Sequence, residues 1–351
     1  MRKKNVTIRQ LAEMLQVTPT TISLALRGKG NISAARREEI RQVAARLGYV
    51  PSAVAQALRG SATHTIGVVI NFFDNPFFSA VFAGMETAMR PRGYSFWVAQ
   101  SGDDPGLERE QVRQLAERGV DGLIVLPCGE DLRHLEYLRQ RGKPVVLIGN
   151  LGGKSGFAAV VADNLHGGET AARSLCADRV RVHIAGPETQ SMSALRCRGF
   201  VNVLRESGLA RDPDQYIHRI SRMGHAEGYA AMEAIVRKYP PPLSVFAVND
   251  ETALGVLKFC RRKGVSVPGE VEIVGFGNIA FLDMISARLS TVNIPAGEMG
   301  MEAARMLLYR IEGGEDDGRV SVLETSFVPG ETTLKKIPER RPPQPDDNGV
   351  L

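Results

Sequence analysis

Val17-Thr18-Pro19-Thr20-Thr21-Ile22-Ser23-Leu24-Ala25-Leu26-Arg27-Gly28 is the stretch on which the fold of this chain turns. Thr18 is placed to cap a helix, Pro19 suits its first position, Ile22, Ala25 and Leu26 share one face, and Gly28 ends it. Immediately upstream, Thr7 and Gln10 form a capping-box pair ahead of Ile8, Leu11, Ala12 and Leu15, which recur at helical spacing. Downstream, Ser33 opens a third helix with Ile40, Val43, Ala44 and Leu47 as its apolar stripe and Gly48 as its stop. Three short helices with a tight turn between the first two make a helix-turn-helix, whose second helix enters a major groove. The same pattern also fits a basic three-helix bundle built for protein contacts.

Charge separates these two readings further. Residues 1–60 hold eleven Lys or Arg against three Asp or Glu, a balance of +8, while the whole chain carries +5. The remainder therefore sums to −3. Positive charge gathered in one segment favours a polyanion partner, since phosphate neutralisation releases counterions; a solvated basic face is the plain alternative. Thr7, Ile8, Thr18, Pro19, Thr20, Ser23, Leu24, Arg27 and Asn31 are the candidate DNA-contacting residues. The hydroxyls suit phosphates and base edges, and Leu24 suits a thymine methyl.

The run from Val6-Thr7-Ile8 through the quoted stretch, Ile32-Ser33 and Leu47-Gly48-Tyr49-Val50-Pro51 resembles, in order and spacing, the headpiece of the lactose-repressor/galactose-repressor (LacI/GalR) family. Many members carry Arg where this chain has Leu24, so its operator preference is expected to differ. The resemblance implies a hinge helix over residues 51–61, with Ala55, Leu58 and Arg59 on DNA and Leu58 wedged into the minor groove. A helix this short is marginal alone and should order when two copies pair on DNA. An ordinary linker is the other reading of this segment.

From Thr65 onward short β-rich runs alternate with amphipathic helices: 66–70, 95–99, 122–126 and 145–148, then, after Val160-Val161-Ala162-Asp163-Asn164, 180–184, 244–248 and 271–274. Such alternation predicts parallel sheet with crossover helices in two α/β lobes. It resembles the periplasmic-binding-protein-like core of the same family, in which the chain crosses between lobes three times and grips a ligand in the cleft. The expected organisation is an all-α headpiece over 1–50, the hinge over 51–61, a two-lobed α/β effector-binding and dimerisation domain over 62–333, and a disordered tail over 334–351.

Candidate effector-binding residues follow the strands. Phe77 and Phe78 offer aromatic faces, with helix packing an equal reading for Phe78. Asp163, with Asn164, stands at a lobe crossover, and Asn249-Asp250 follows a strand end; each is a polar group where such sheets present ligand loops, and a helix cap is an equal reading for Asp250. Arg196 is the foremost candidate, because a buried guanidinium needs an acceptor and can fork onto a ligand. Gly275-Phe276-Gly277-Asn278-Ile279-Ala280 superficially matches a dinucleotide fingerprint, but the long helix that the fingerprint needs is missing. Family members usually carry Gly-Tyr/Phe-Asp-Asp there, so the resemblance implies a ligand loop that has lost its first carboxylate at Gly277 and keeps Asn278. On that view an acidic or phosphorylated sugar gains favour over a neutral one, within a carbohydrate-type class.

Composition narrows the remaining classes. Hydrophobic content of 43% with 24% charged residues is that of a globular protein, and no apolar run approaches the roughly 20 residues that span a bilayer. The basic N-terminus lacks a signal peptide's apolar stretch, so the expected location is the cytoplasm. The four cysteines and six histidines are scattered without metal or catalytic spacing; no metal, no cofactor and no catalytic residue is expected. The reading is a homodimeric transcriptional repressor controlled by a small-molecule effector. A sugar-binding or nucleotide-using enzyme fused to a nucleic-acid module is the alternative, and a purely architectural DNA binder the third.

Overall fold

The computed structural model describes residues 6–26, 28–49, 62–149, 156–208, 212–284 and 287–334, with the Asp283 side chain excepted. The backbone divides into two compact units, 1–63 and 64–351. The implied hinge over 51–61, with Ala55, Leu58 and Arg59, lies outside the described residues, as do Arg27 and the tail beyond Leu334.

In the first unit, α1 (Ile8–Met14), α2 (Pro19–Leu26) and α3 (Ala34–Arg46) pack around Leu11, Leu15, Ile22, Ala25 and Ile40. The capping logic holds at each entry. Thr7 Oγ1 accepts from Gln10 N while the Gln10 side chain accepts from Thr7 N, Thr18 Oγ1 accepts from Thr21 N at 3.1 Å, and Ser33 Oγ accepts from Arg36 N. Gly48 adopts a φ of +62°, the left-handed conformation that ends a helix and favours glycine.

The second unit holds two six-stranded sheets. Lobe one orders its strands β11-β5-β4-β3-β1-β2, all in parallel pairs. These are β1 (Thr65–Ile70), β2 (Ser95–Gln100), β3 (Gly122–Val125), β4 (Val145–Ile148), β5 (Ala158–Ala162) and β11 (Val320–Leu323). Lobe two orders β12-β10-β9-β8-β6-β7: β6 (Val180–Ala185), β7 (Ile217–Arg219), β8 (Leu243–Ala247), β9 (Val271–Gly277), β10 (Ser290–Asn293) and β12 (Ser326–Val328). Only the β10–β12 edge pair runs antiparallel. Both faces of such sheets must be covered, which is why β3, β4, β5 and β8 are buried throughout rather than alternating.

The covering helices are α4 (Phe77–Met89), α5 (Pro105–Glu117), α6 (Arg133–Gln140) and α11 (Ala296–Ile311) on lobe one, with α7 (Asn164–Ser174), α8 (Ser191–Glu206), α9 (His225–Lys238) and α10 (Asp250–Lys263) on lobe two. Three pairs, α4 with α11, α7 with α8 and α9 with α10, approach through glycines. A Cβ at Gly84 would collide with the Gly297 carbonyl, one at Gly168 with the Arg196 carbonyl, and one at Gly255 with the His225 carbonyl. Close approach of this kind leaves no room for a side chain at the contact and so holds in register what the helix ends present.

The chain passes between lobes after β5, between β10 and α11, and between β11 and β12. The first and third passages are tied together: Asp163 N donates to Leu323 O at 2.8 Å, and Thr325 Oγ1 donates to Asp163 O. Residues 158–162, read from sequence only as the point where the pattern restarts, form a full strand of lobe one between β4 and the edge strand β11.

Candidate functional site

In parallel α/β sheets the loops beyond the strands' carboxyl ends gather at one edge, the usual place for ligand. Here the two edges face each other. The cavity between them is lined from lobe one by Asn71, Asn75, Phe77 and Phe78 after β1, Leu126 after β3 and Gly149 after β4. Lobe two contributes Asn164 and Arg196 from α7 and α8, Met223 after β7, Asn249, Asp250 and Glu251 after β8, and Phe276 and Gly277 at the end of β9. The space between the two edges is about 740 Å³ with its mouth included.

Arg196 is the centre of this arrangement. It is 4% exposed; Nε donates to Asn164 Oδ1 at 2.9 Å and Nη1 to Val248 O at 2.8 Å, and its guanidinium carbon lies 3.8 Å from the centroid of the Phe276 ring. Burial lowers its pKa to about 9, partly opposed by the carboxylate of Asp250. A planar cation stacked on an aromatic face and held at two donors is pre-aimed, with little entropy left to lose. Phe77 and Phe78 meet edge to face at 5.4 Å; Phe78 packs in the core at 2% exposure, while Phe77 is half-buried on the cavity wall.

Of the pair Asn249-Asp250, the cap falls to Asn249 rather than to Asp250. Asn249 Oδ1 caps α10 by accepting from Thr252 N, whereas Asp250 is 1% exposed and accepts from Thr291 Oγ1 at 2.5 Å and Ile279 N at 3.0 Å. Its pKa is raised, by burial first, with those hydrogen bonds opposing. Gly277 has a φ of +137°, and a Cβ there would stand 3.0 Å from Asp250 Oδ2. The loop has therefore not lost its negative charge; Asp250 brings a carboxylate to the same place from α10. The argument for an anionic ligand fails on that observation.

Two expected residues lie off the cavity. Asp163 caps α7, accepting from His166 N at 3.0 Å, and its backbone joins the lobe crossings, so its carboxylate belongs to the hinge side. Asn278 is exposed with a φ of +55°, donates to Asn293 Oδ1, and lines a separate surface groove with Ser79 and Glu298. Sequence reasoning missed Asn71 and Glu251, and met Asn75 and Asn164 only as neighbours of Phe77 and Asp163 in the runs it placed at the cleft. For Asn71 and Asn75 the signal was present, an Asn pair just after the first strand. Glu251 is half-exposed chemistry in the first turn of a helix, indistinguishable there from ordinary dipole compensation. Burial, then Asp74 and Asp250, raise its pKa to about 7.

In the headpiece Thr7, Thr18, Pro19, Thr20 and Asn31 are exposed, while Ser23 and Leu24 are half-buried. Leu24 packs toward Gly30, and Ile8 leans on the helical core, which leaves Ile8 less to offer a groove than its neighbours.

Residues 7–52 match the description "Bacterial regulatory proteins, lacI family", and residues 177–333 match "Periplasmic binding protein-like domain". The chain carries a lacI-family DNA-binding domain ahead of a periplasmic-binding-protein-like domain. The chain is 27% identical to the ribose operon repressor of Haemophilus influenzae, over 92% of its own length and 97% of that protein's. It is 28% identical to the transcriptional repressor PurR of Vibrio cholerae, over 93% and 97%. Among solved structures, the transcriptional regulator CelR–cellobiose complex matches with a TM-score of 0.70 at 28% identity, covering 93% of this chain and 99% of that one. The Lac repressor dimer bound to operator and the anti-inducer ONPF matches in fold, with a TM-score of 0.82 at 22% identity over 95% and 100%. The protein is a DNA-binding regulator of transcription with a two-lobed small-molecule-binding core.

Proposed function

We propose that the chain is a cytoplasmic repressor that binds operator DNA as a homodimer and whose operator affinity is set by a small, uncharged carbohydrate in the cleft, bound without turnover. The observation that carries this reading is the cavity between the lobes, with Arg196 stacked on Phe276 and bonded to Asn164. A sugar ring has an apolar face for Phe77 and a rim of hydroxyls for the planar amides of Asn71, Asn75, Asn164 and Asn249. Arg196 Nη2 is left for a ligand oxygen. Because Asp250 offsets the arginine's charge, a neutral ligand suits the site better than an acid. CelR is solved with cellobiose, and a lacI-family regulator from Enterococcus faecium that is 26% identical is solved with ribose; both support a carbohydrate-type effector. In the headpiece, Thr7, Thr18, Pro19, Thr20, Ser23, Leu24, Arg27 and Asn31 are proposed to meet DNA, aided by Ala55, Leu58 and Arg59 of the hinge.

The test selects an operator from random duplexes with the full-length protein, then measures binding of that duplex by fluorescence anisotropy against a panel of sugars. A neutral sugar that shifts operator affinity, with the shift lost in Arg196→Ala, is the expected result. Loss of the reading follows if no duplex is enriched, or if Arg196→Ala responds to the sugar as the wild type does. Among the described residues no group of three or more His, Cys, Asp and Glu is placed to hold a metal, and no helix is long and apolar enough to cross a membrane.

A further inference from the structure

The cleft continues outward into a second compartment. Asn71, Asn75, Met223, Asn249 and Glu251 line both, and so form the neck between them. The outer compartment encloses about 820 Å³ and the inner about 740 Å³, each with its mouth included. Its walls come from both lobes: Asp74 and Asp103 from lobe one, Arg222, His225 and Glu227 from lobe two. The lobes already touch there. Arg222 lies 3.7 Å from Asp74 and over the Phe72 ring at 4.4 Å, and Gln190 Nε2 donates to Asp103 Oδ2 at 3.1 Å. Gln190 is only 6% exposed, yet its Oε1 has no partner among the described residues, a buried acceptor beside Asp103 with no donor.

We propose that this outer compartment is a second subsite and that the effector is a two-unit saccharide whose outer unit carries no negative charge. The inference rests on the carbohydrate reading of the inner site and adds its length and charge. The inner compartment is walled largely by Phe77, Phe78, Phe276 and methionines, and takes the flat face of one ring. Beyond the neck the wall turns polar, with acceptors on Asp103, Glu227 and Glu251 and donors on Arg222 and His225, the complement of a second ring's hydroxyls. The carboxylates of Asp74, Asp103 and Glu227, joined by that of Glu251 when it is ionised, outnumber the one arginine and one histidine there, so a carboxylate or phosphate on the outer unit meets like charge. Met223 sets the width of the neck. It seats against Gly186, where a Cβ would come 2.8 Å from its sulfur. An outer unit touching Asp103 and Arg222 together bridges the lobes, and so favours their closed arrangement.

Titration calorimetry on the full-length protein tests this with cellobiose, maltose, lactose and trehalose, with glucose and galactose, and with the aldonic acids of the three reducing disaccharides. The expected pattern is a disaccharide that binds at least about tenfold more tightly than its component monosaccharide, roughly 1.4 kcal/mol, and about tenfold more tightly than its own acid. In Arg222→Ala, and independently in Asp103→Asn, the ratio of disaccharide to monosaccharide affinity should fall towards one. A monosaccharide that binds as tightly as any disaccharide, a ratio unmoved in both variants, or an acid that binds as well as its neutral parent each overturns the proposal while leaving the carbohydrate reading in place. If no neutral sugar of either size binds, the carbohydrate reading itself falls, and the second subsite with it.

Discussion

Arg196 keeps its charge in the interior because three neighbours share the cost: the Asn164 amide, the Val248 carbonyl and the face of Phe276. Arg196→Ala strands the first two, and a hydrogen bond to a charged group contributes about 1.5–3 kcal/mol, so effector affinity should fall roughly 10- to 100-fold in calorimetry. Arg196→Lys should recover little, since an ammonium neither stacks as a plane nor reaches both partners. Glu251 offers a separate test in pH. Its folded pKa, about 7, stands above the ordinary 4.5, so the stabilisation by its protonated form is complete below 4.5 and is lost as pH rises through 7. Glu251→Gln should therefore match wild type in thermal unfolding near pH 4.5 and become progressively more stable than wild type towards pH 8.5. A constant difference across that range would show that the carboxylate titrates as if in water. Residue type told much of this in advance: a guanidinium and two phenylalanines near strand ends mark a cleft. Which of two adjacent side chains caps the helix and which is buried, Asn249 or Asp250, depends on the Thr291 hydroxyl 41 positions away, and no local pattern encodes that.

Helix pairs joined through glycine carry the side chains of the site. Gly168 on α7 and Gly199 on α8 let those helices touch backbone to backbone, and Asn164 and Arg196 are the residues the contact holds in register. Gly168→Ala would push its methyl into the Arg196 carbonyl, and overpacking of a tight contact costs typically about 1–3 kcal/mol. The prediction is a joint loss, in which the lowered unfolding temperature of Gly168→Ala is accompanied by weaker effector binding. Gly208→Ala, at an exposed φ of +63° with nothing near its Cβ, should cost stability with effector binding spared. Equal effects on binding from the two would contradict the positioning role. Helix existence and caps were legible in the headpiece, because Thr7, Thr18 and Ser33 act on backbone groups three residues away. The strands β5, β7, β11 and β12 were not: β7 and β12 are three residues long, β11 alternates weakly, and each exists because a distant strand supplies its partner.

Across the whole molecule, charge and function divide along the chain. With +8 in residues 1–60 and −3 in the rest, operator affinity should fall steeply with salt, in proportion to the phosphates neutralised. A protein starting at Ser61 should keep its effector affinity and lose specific duplex binding, as read by anisotropy and calorimetry on the same preparation; retained duplex specificity would place the recognition surface elsewhere. The α/β alternation and the crossings of the chain were readable in outline, since parallel strands demand crossover helices. The placement of the last two strands was not, yet it has the widest reach. Lobe one receives its edge strand from residues 320–323 and lobe two from 326–328. A ribosome that stalls before residue 320 therefore releases two unfinished sheets at once, each with a bare row of backbone donors and acceptors able to recruit a strand from another chain. Message truncated in its final stretch should yield insoluble product rather than a weakened repressor, and full-length synthesis becomes the checkpoint that both halves share.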